Sequence, residues 1–181
     1  MLDIKKGDVI VSEPFMKDPN FKRTVIMLTE HDKDGSLGLV LNKPSIFTVN
    51  EMIQDLPLIH SQMYLGGPVG LDRLNFLHSY GDLIPNSHFI AENLYWNGNY
   101  DVLKKLIVQK EIAPHNIKFF VGYAGWGAGQ LEEEMNENSW YISKNYKKIF
   151  RDHDAMWSDV LIRMGGKYKL AAFYPEDPSL N

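Results

Sequence analysis

Three features of the sequence predict one domain of mixed helix and sheet, built around the sheet. Two apolar runs rich in β-formers flank a polar turn near the N-terminus, and later segments repeat apolar residues at helical spacing behind capping residues. The third is bulk: 181 residues, 44% hydrophobic and 23% charged, suffice to bury a continuous core without a disulfide or a structural metal. No repeat, low-complexity tract or Ser/Gly linker divides the chain, so residues 1–181 are expected to share one core.

Taken in order, residues 9–12 read as a first strand. Residues 24–30 (TVIMLTE) and 37–42 (LGLVLN) form a hairpin around 31–36, where Asp, Gly and Ser tolerate turn dihedrals. Leu39, Val40 and Leu41 are consecutive, so at least two of them must be buried on opposite sides of the sheet, as happens when both faces are covered. Asn42-Lys43-Pro44 then stops the strand, because proline has no N–H for a ladder. A short helix follows over 49–55, with strands at 63–66, 74–79 and 118–123 and a last strand at 169–174. Helix is predicted over 100–110, where Val102, Leu103, Leu106 and Ile107 make one stripe behind Asn99 as N-cap. Over 154–164, Trp157, Val160, Leu161 and Met164 share a face, acidic residues lead, Arg163 trails and Gly165 caps the end.

Charge narrows the partners. Nineteen Lys and Arg stand against 23 Asp and Glu, a net charge of -4, the wrong sign for sequence-blind attraction to phosphate backbones. The densest basic stretches, Lys104-Lys105 and 144–151, are interrupted by apolar positions and read as solvated faces. Specific binding to DNA is not expected. The absence of cysteine removes thiolate nucleophiles, iron–sulfur clusters and Cys-based zinc sites. Residues 1–7 lack the apolar h-region of a signal peptide, and no stretch approaches the ~20 apolar residues that cross a bilayer, so a cytoplasmic location without a membrane partner is expected.

Each segment that resembles a chemical motif also has a plainer structural role. The turn from Glu30 to Gly35 alternates oxygen-bearing residues like a calcium loop, but the twelfth position holds Leu41, and a hairpin tip explains it better. The stretch 121–130 places four glycines between a strand and a helix-like segment at 130–135. Such a junction can cradle phosphate, yet no Gly-Lys-Ser/Thr follows, and Glu132, Glu133 and Glu134 load the helix start with negative charge. A tight structural crossing is the alternative. No GxSxG, SxxK or HExxH is present, and six histidines are scattered without ligand spacing. Asp152-His153-Asp154 reads either as an oriented general base or as the acidic lead-in to a helix. No metal or cofactor is expected.

One set of segments is diagnostic as a group: Gly7-Asp8, Asp18-Pro19-Asn20-Phe21, Glu30-His31, Gly38-Leu39-Val40-Leu41-Asn42-Lys43-Pro44, Gly66-Gly67-Pro68-Val69, and the run from Gly122-Tyr123-Ala124-Gly125-Trp126 to Gln130-Leu131-Glu132. On these the chain resembles the YqgE/AlgH family of bacterial proteins, also called UPF0301 or DUF179, over nearly its whole length. The resemblance implies an α+β fold, a branched, mostly antiparallel sheet forming a pseudo-barrel with helices packed around it. It implies no established reaction. Some members carry a transcriptional-regulator label without a recognised DNA-binding module.

The expected function is therefore non-enzymatic: binding of a small molecule or a protein partner, with a regulatory outcome. The alternative is an enzyme, a hydrolase using His31 or His78 with a carboxylate such as Glu30 or Asp32. The expected site lies where three strand exits meet, since loops there present backbone N–H and C=O groups and glycine admits close approach. Its residues are Asn42 and Pro44, then Gly66, Gly67 and Pro68, then Tyr123, Gly125, Trp126 and Gln130.

Overall fold

A computed structural model describes residues 3–56, 59–144, 146–151 and 154–176. The hairpin read from the sequence is present as β2 (Val25–Asp32) and β3 (Gly35–Val40), antiparallel with Ile26 opposite Val40. Its strands run further into the polar segment than expected, leaving Lys33 and Asp34 to turn the chain, with Asp34 N–H donating to Asp32 Oδ1 at 2.8 Å. Around it lie β1 (Val9–Ser12), β4 (Pro44–Thr48), β5 (Gln62–Leu65), β6 (Val69–His78), β7 (His88–Ala91), β8 (Leu94–Trp96), β9 (Ile117–Gly127) and β10 (Trp140–Ser143). β3 ends at Val40, ahead of the Asn42-Lys43-Pro44 stop, and Pro44 opens β4, on an edge that tolerates its missing N–H.

The order across the sheet is β10-β1-β2-β3-β9-β6-β8-β7, and β5, carrying β4, branches off β9. All pairs are antiparallel except β5 with β9. β9 is long enough to serve three neighbours: residues 124–127 pair with β3, residues 119–121 with β5, and its other edge with β6. The described strands do not close into a barrel, since β10 and β7 remain the two ends of the path. They do curl, because Val9 and Val11 near one end share a cluster with Ile90 and Leu94 near the other.

Helices cover the sheet: α1 (Val49–Met52), α2 (Tyr100–Val108), α3 (Gln130–Asn136), α4 (Met156–Met164) and α5 (Gly166–Ala171). The consecutive residues of β3 and its exit behave as the sequence requires: Leu39 and Leu41 enter the cluster under α4, and Val40 enters the opposite one with Trp126 and Leu131. In α2, Leu103, Leu106 and Ile107 are buried, and Asn99 Oδ1 accepts from Val102 N–H at 3.0 Å, the predicted cap. In α4 Trp157, Val160 and Leu161 are buried and Gly165 stands at φ 72° as the stop. The predicted strand at 169–174 is instead helical through Ala171. Its apolar run follows a helical period: Tyr168, Ala171 and Ala172 pack onto the core while Leu170 and Phe173 face out. Among the described residues no helix is long and apolar enough to cross a membrane.

Candidate functional site

The branch in the sheet is built at a glycine crossing. After β5 the chain turns through Gly66-Gly67-Pro68 directly against Gly122-Tyr123 of β9. Gly66 N–H donates to Val121 O at 2.9 Å and Val40 N–H donates to Gly66 O at 2.8 Å, so one residue stitches three strands. A Cβ on Gly67, at φ 154°, would overlap the Tyr123 and Ala124 backbone. Leu65 N–H donates to Lys43 O at 2.8 Å, and Pro44 pairs with Tyr64. Six of the expected site residues therefore gather here: Asn42, Pro44, Gly66, Gly67, Pro68 and Tyr123, with Gly125 flanking the Tyr123 ring.

Lys43 stands between two cavities at this crossing. One is an apolar groove of about 310 Å³ bounded by Val40, Leu65, Pro68, Leu71 and Pro19. Leu65 is 43% and Leu71 59% exposed, which leaves its wall open to solvent. The other, about 410 Å³, is polar and reaches Arg23, Ser158 and Glu176. Burial pushes the Lys43 ammonium below its usual range, opposed by the Glu176 carboxylate. The Arg23 guanidinium lies 4.7 Å from the centre of the Trp157 ring. Asn42 uses both ends of its amide inside the fold, Oδ1 accepting from Val25 N–H and Nδ2 donating to Arg23 O, each at 2.9 Å.

Trp126 and Gln130 lie at the far end of β9. Trp126 lies three strand steps beyond Tyr123, roughly 10 Å. Trp126 packs against Phe21 and Trp140, and Gln130 accepts from Gly127 N–H at 3.0 Å while donating to Glu134 Oε1 at 2.9 Å. Nearby, His31 Nδ1 is 2.8 Å from Ser36 Oγ and its Nε2 is 3.8 Å from Glu132 Oε1. This serine–imidazole–carboxylate arrangement sets His31 beside Glu132 of α3 rather than beside its sequence neighbours Glu30 and Asp32. Those two, with Asp34, line the adjoining space of about 280 Å³ and oppose a developing oxyanion, the charge that acyl transfer must stabilise.

His78, fully buried, is consumed by structure. Tyr80 N–H donates to its Nδ1 at 3.1 Å, which places the proton on Nε2, 2.8 Å from Asn97 O and 3.2 Å from Ser87 Oγ; the Tyr95 ring stacks alongside. Burial holds its pKa below 6.5, and the Asn97 bond only partly offsets this. The unfolded chain then binds a proton that the native chain refuses, so stability present near neutrality falls as the pH drops below about 6.5, by at most ~1.4 kcal/mol per pH unit, until the buried ring itself titrates. Denaturant melts across that window are expected to show this slope in the wild type, and a His78→Gln variant, less stable overall, is expected to lose it.

Asp152 and His153 lie outside the described residues. Among those described, no group of three or more His, Asp or Glu is placed to hold a metal. Lys43, Leu65 and Leu71 were absent from the expected site. Lys43 was legible as the centre of its own turn, whereas nothing in the sequence distinguishes Leu65 and Leu71 from core leucines.

An α+β fold with a branched, mostly antiparallel sheet and a glycine crossing at its branch defines the class. The family model described as AlgH-like matches residues 9–169, and the chain belongs to that family. A UPF0301 protein of Chlorobium limicola is 41% identical over 180 residues, covering 98% of this chain and 96% of the relative. One of Cytophaga hutchinsonii is 39% identical over 181 residues, covering 98% and 100%. The solution structure of the AlgH protein from Pseudomonas aeruginosa superposes with a TM-score of 0.74 at 31% identity, over 97% of this chain and 98% of that one. A crystal structure of a Corynebacterium diphtheriae protein, 23% identical, shares the fold with a TM-score of 0.81 over 96% and 94%.

Proposed function

We propose that the chain is a cytoplasmic, non-enzymatic binding protein that captures a small molecule or a protein partner at the crossing beside Lys43 and acts by regulation. One observation carries this reading: the motif amides Asn42 and Gln130 are spent within the fold, and what the crossing leaves open is an apolar groove beside one half-buried cation. Apolar walls with a single charged group are the usual make-up of a binding cleft. Sequence-specific DNA binding is no part of the reading, because a net charge of -4 offers few cations for counterion release.

Native mass spectrometry of protein purified from its own host tests it. A co-purifying mass is expected with the wild type and not with Leu71→Asp, whose exposed position should keep stability within ~0.5 kcal/mol. Equal recovery from both proteins would remove the groove from consideration. The Ser36–His31–Glu132 chain favours the second reading, a hydrolase. Turnover of an activated ester that survives in the wild type and is lost in Ser36→Ala would establish it in place of the first.

A further inference from the structure

The curled sheet leaves a seam where its two ends approach without pairing. At Gly7 the lead-in to β1 touches β7, a Cβ there falling 3.2 Å from Ile90 O, while Gly7 N–H donates to Leu28 O at 2.8 Å. Beyond this contact the β7–β8 turn and the segment after β10 diverge, opening a cavity of about 840 Å³. That is ample for a small organic ligand. Met27, Leu94 and Ile149, all buried, form an apolar floor, and the Tyr146 and Phe150 side chains contribute aromatic walls.

The rim is ordered by charge. Asp8, 7% exposed, accepts from Lys5 N–H at 2.9 Å and from Lys144 Nζ at 3.1 Å, so a buried carboxylate fixes one lysine at the mouth. Asp3 takes Lys5 Nζ at 2.9 Å. Lys6 and Lys147 also line the cavity, and among the described residues neither has an ion-pair partner. Two unpaired ammonium groups beside an oriented third make a landing for an anion of more than one charge. On the opposite wall Glu92, with the amides of Asn93 and Asn116, offers acceptors and donors that suit a polar ring edge rather than a second anion.

We propose that this seam binds a phosphorylated metabolite of mononucleotide size, its phosphate on Lys6 and Lys147 and its flat ring against Tyr146 and Phe150. The site is separate from the groove beside Lys43 and does not depend on it. It gives the lysines of the segment 144–151 a task that the sequence assigned only to solvation.

Titration of the full chain with AMP and UMP, followed by amide shifts in NMR, tests the assignment. Saturable shifts are expected at Gly7, Asn93 and Phe150 for at least one nucleotide, with inorganic phosphate and the free nucleoside each at least about tenfold weaker. Lys6→Glu with Lys147→Glu should weaken binding at least about tenfold at unchanged melting temperature, and Leu71→Asp should leave it intact. The proposal falls if neither nucleotide saturates up to ~5 mM, if the shifts map elsewhere, if phosphate alone binds as well as the nucleotide, or if the double substitution has no effect.

Discussion

Gly67→Ala is expected to abolish folding. The added methyl would occupy the space of the Tyr123 carbonyl group and the Ala124 nitrogen, and neither is the end of a flexible side chain that could swing aside. The residue also sits at φ 154°, a region L-residues avoid. Relief requires β5 and β9 to separate, and with them the bonds Gly66 makes to Val121 and Val40. A loss of ~4 kcal/mol or more is a large share of the ~5–15 kcal/mol typical of a domain. Gly129→Ala is the control. Its φ of 75° is equally unusual, but nothing lies within 4 Å of the new atom, so a loss of only ~1–2 kcal/mol is expected. Soluble yield and denaturant midpoints of the two variants check the contrast; equal behaviour would show that the crossing yields.

The second large effect is expected at Glu134. Its Oε2 accepts from the indole N–H of Trp126 at 3.0 Å and of Trp140 at 2.7 Å, while Oε1 takes Gln130 Nε2 at 2.9 Å. Both indoles are nearly enclosed, at 6% and 3% exposure, so Glu134→Ala strands two buried donors at once. At ~1–3 kcal/mol for each orphaned group, a loss of ~2–5 kcal/mol is expected. Glu134→Gln keeps one acceptor oxygen and should lose about half as much. Equilibrium unfolding followed by tryptophan emission measures both, and a Glu134→Ala protein as stable as the wild type would show that the indoles find other partners.

Why some of this was legible and some was not follows from range. The hairpin, the two-sided burial of Leu39 and Val40, the Asn99 cap and the Gly165 stop are local rules of alternation and capping, and the structure keeps them. The helix over 166–171 is not legible as one because the five-residue apolar run from Leu170 to Tyr174 carries too few periods to separate a strand from about one helical turn and a half. β9 was cut short at Tyr123 since its glycines read as loop, when they allow β5 and the Tyr123 ring to approach an unbroken strand. The strand exits around Gly66 and Asn42 meet because each ends beside β9. Trp126 and Gln130 belong to the same sequence motif, but extended backbone carries them away from it. Glu134 was read as one of three acids loading a helix start; its tie to Trp126 and Trp140 joins three elements, and no local pattern announces it.

The three-sided pairing of β9 also sets an order during synthesis. Until residue 127 has left the ribosome, β3, β5 and β6 have no common neighbour, and the β1–β2–β3 meander has the Val40–Gly66 bond, but no strand pairing among the described residues, to hold it to the β4–β5 pair. About two thirds of the chain thus emerges with its strand edges bare, the condition that recruits holding chaperones. Arrest of translation before β9 should leave a species that proteases cut freely, and arrest after it one whose first half is already protected.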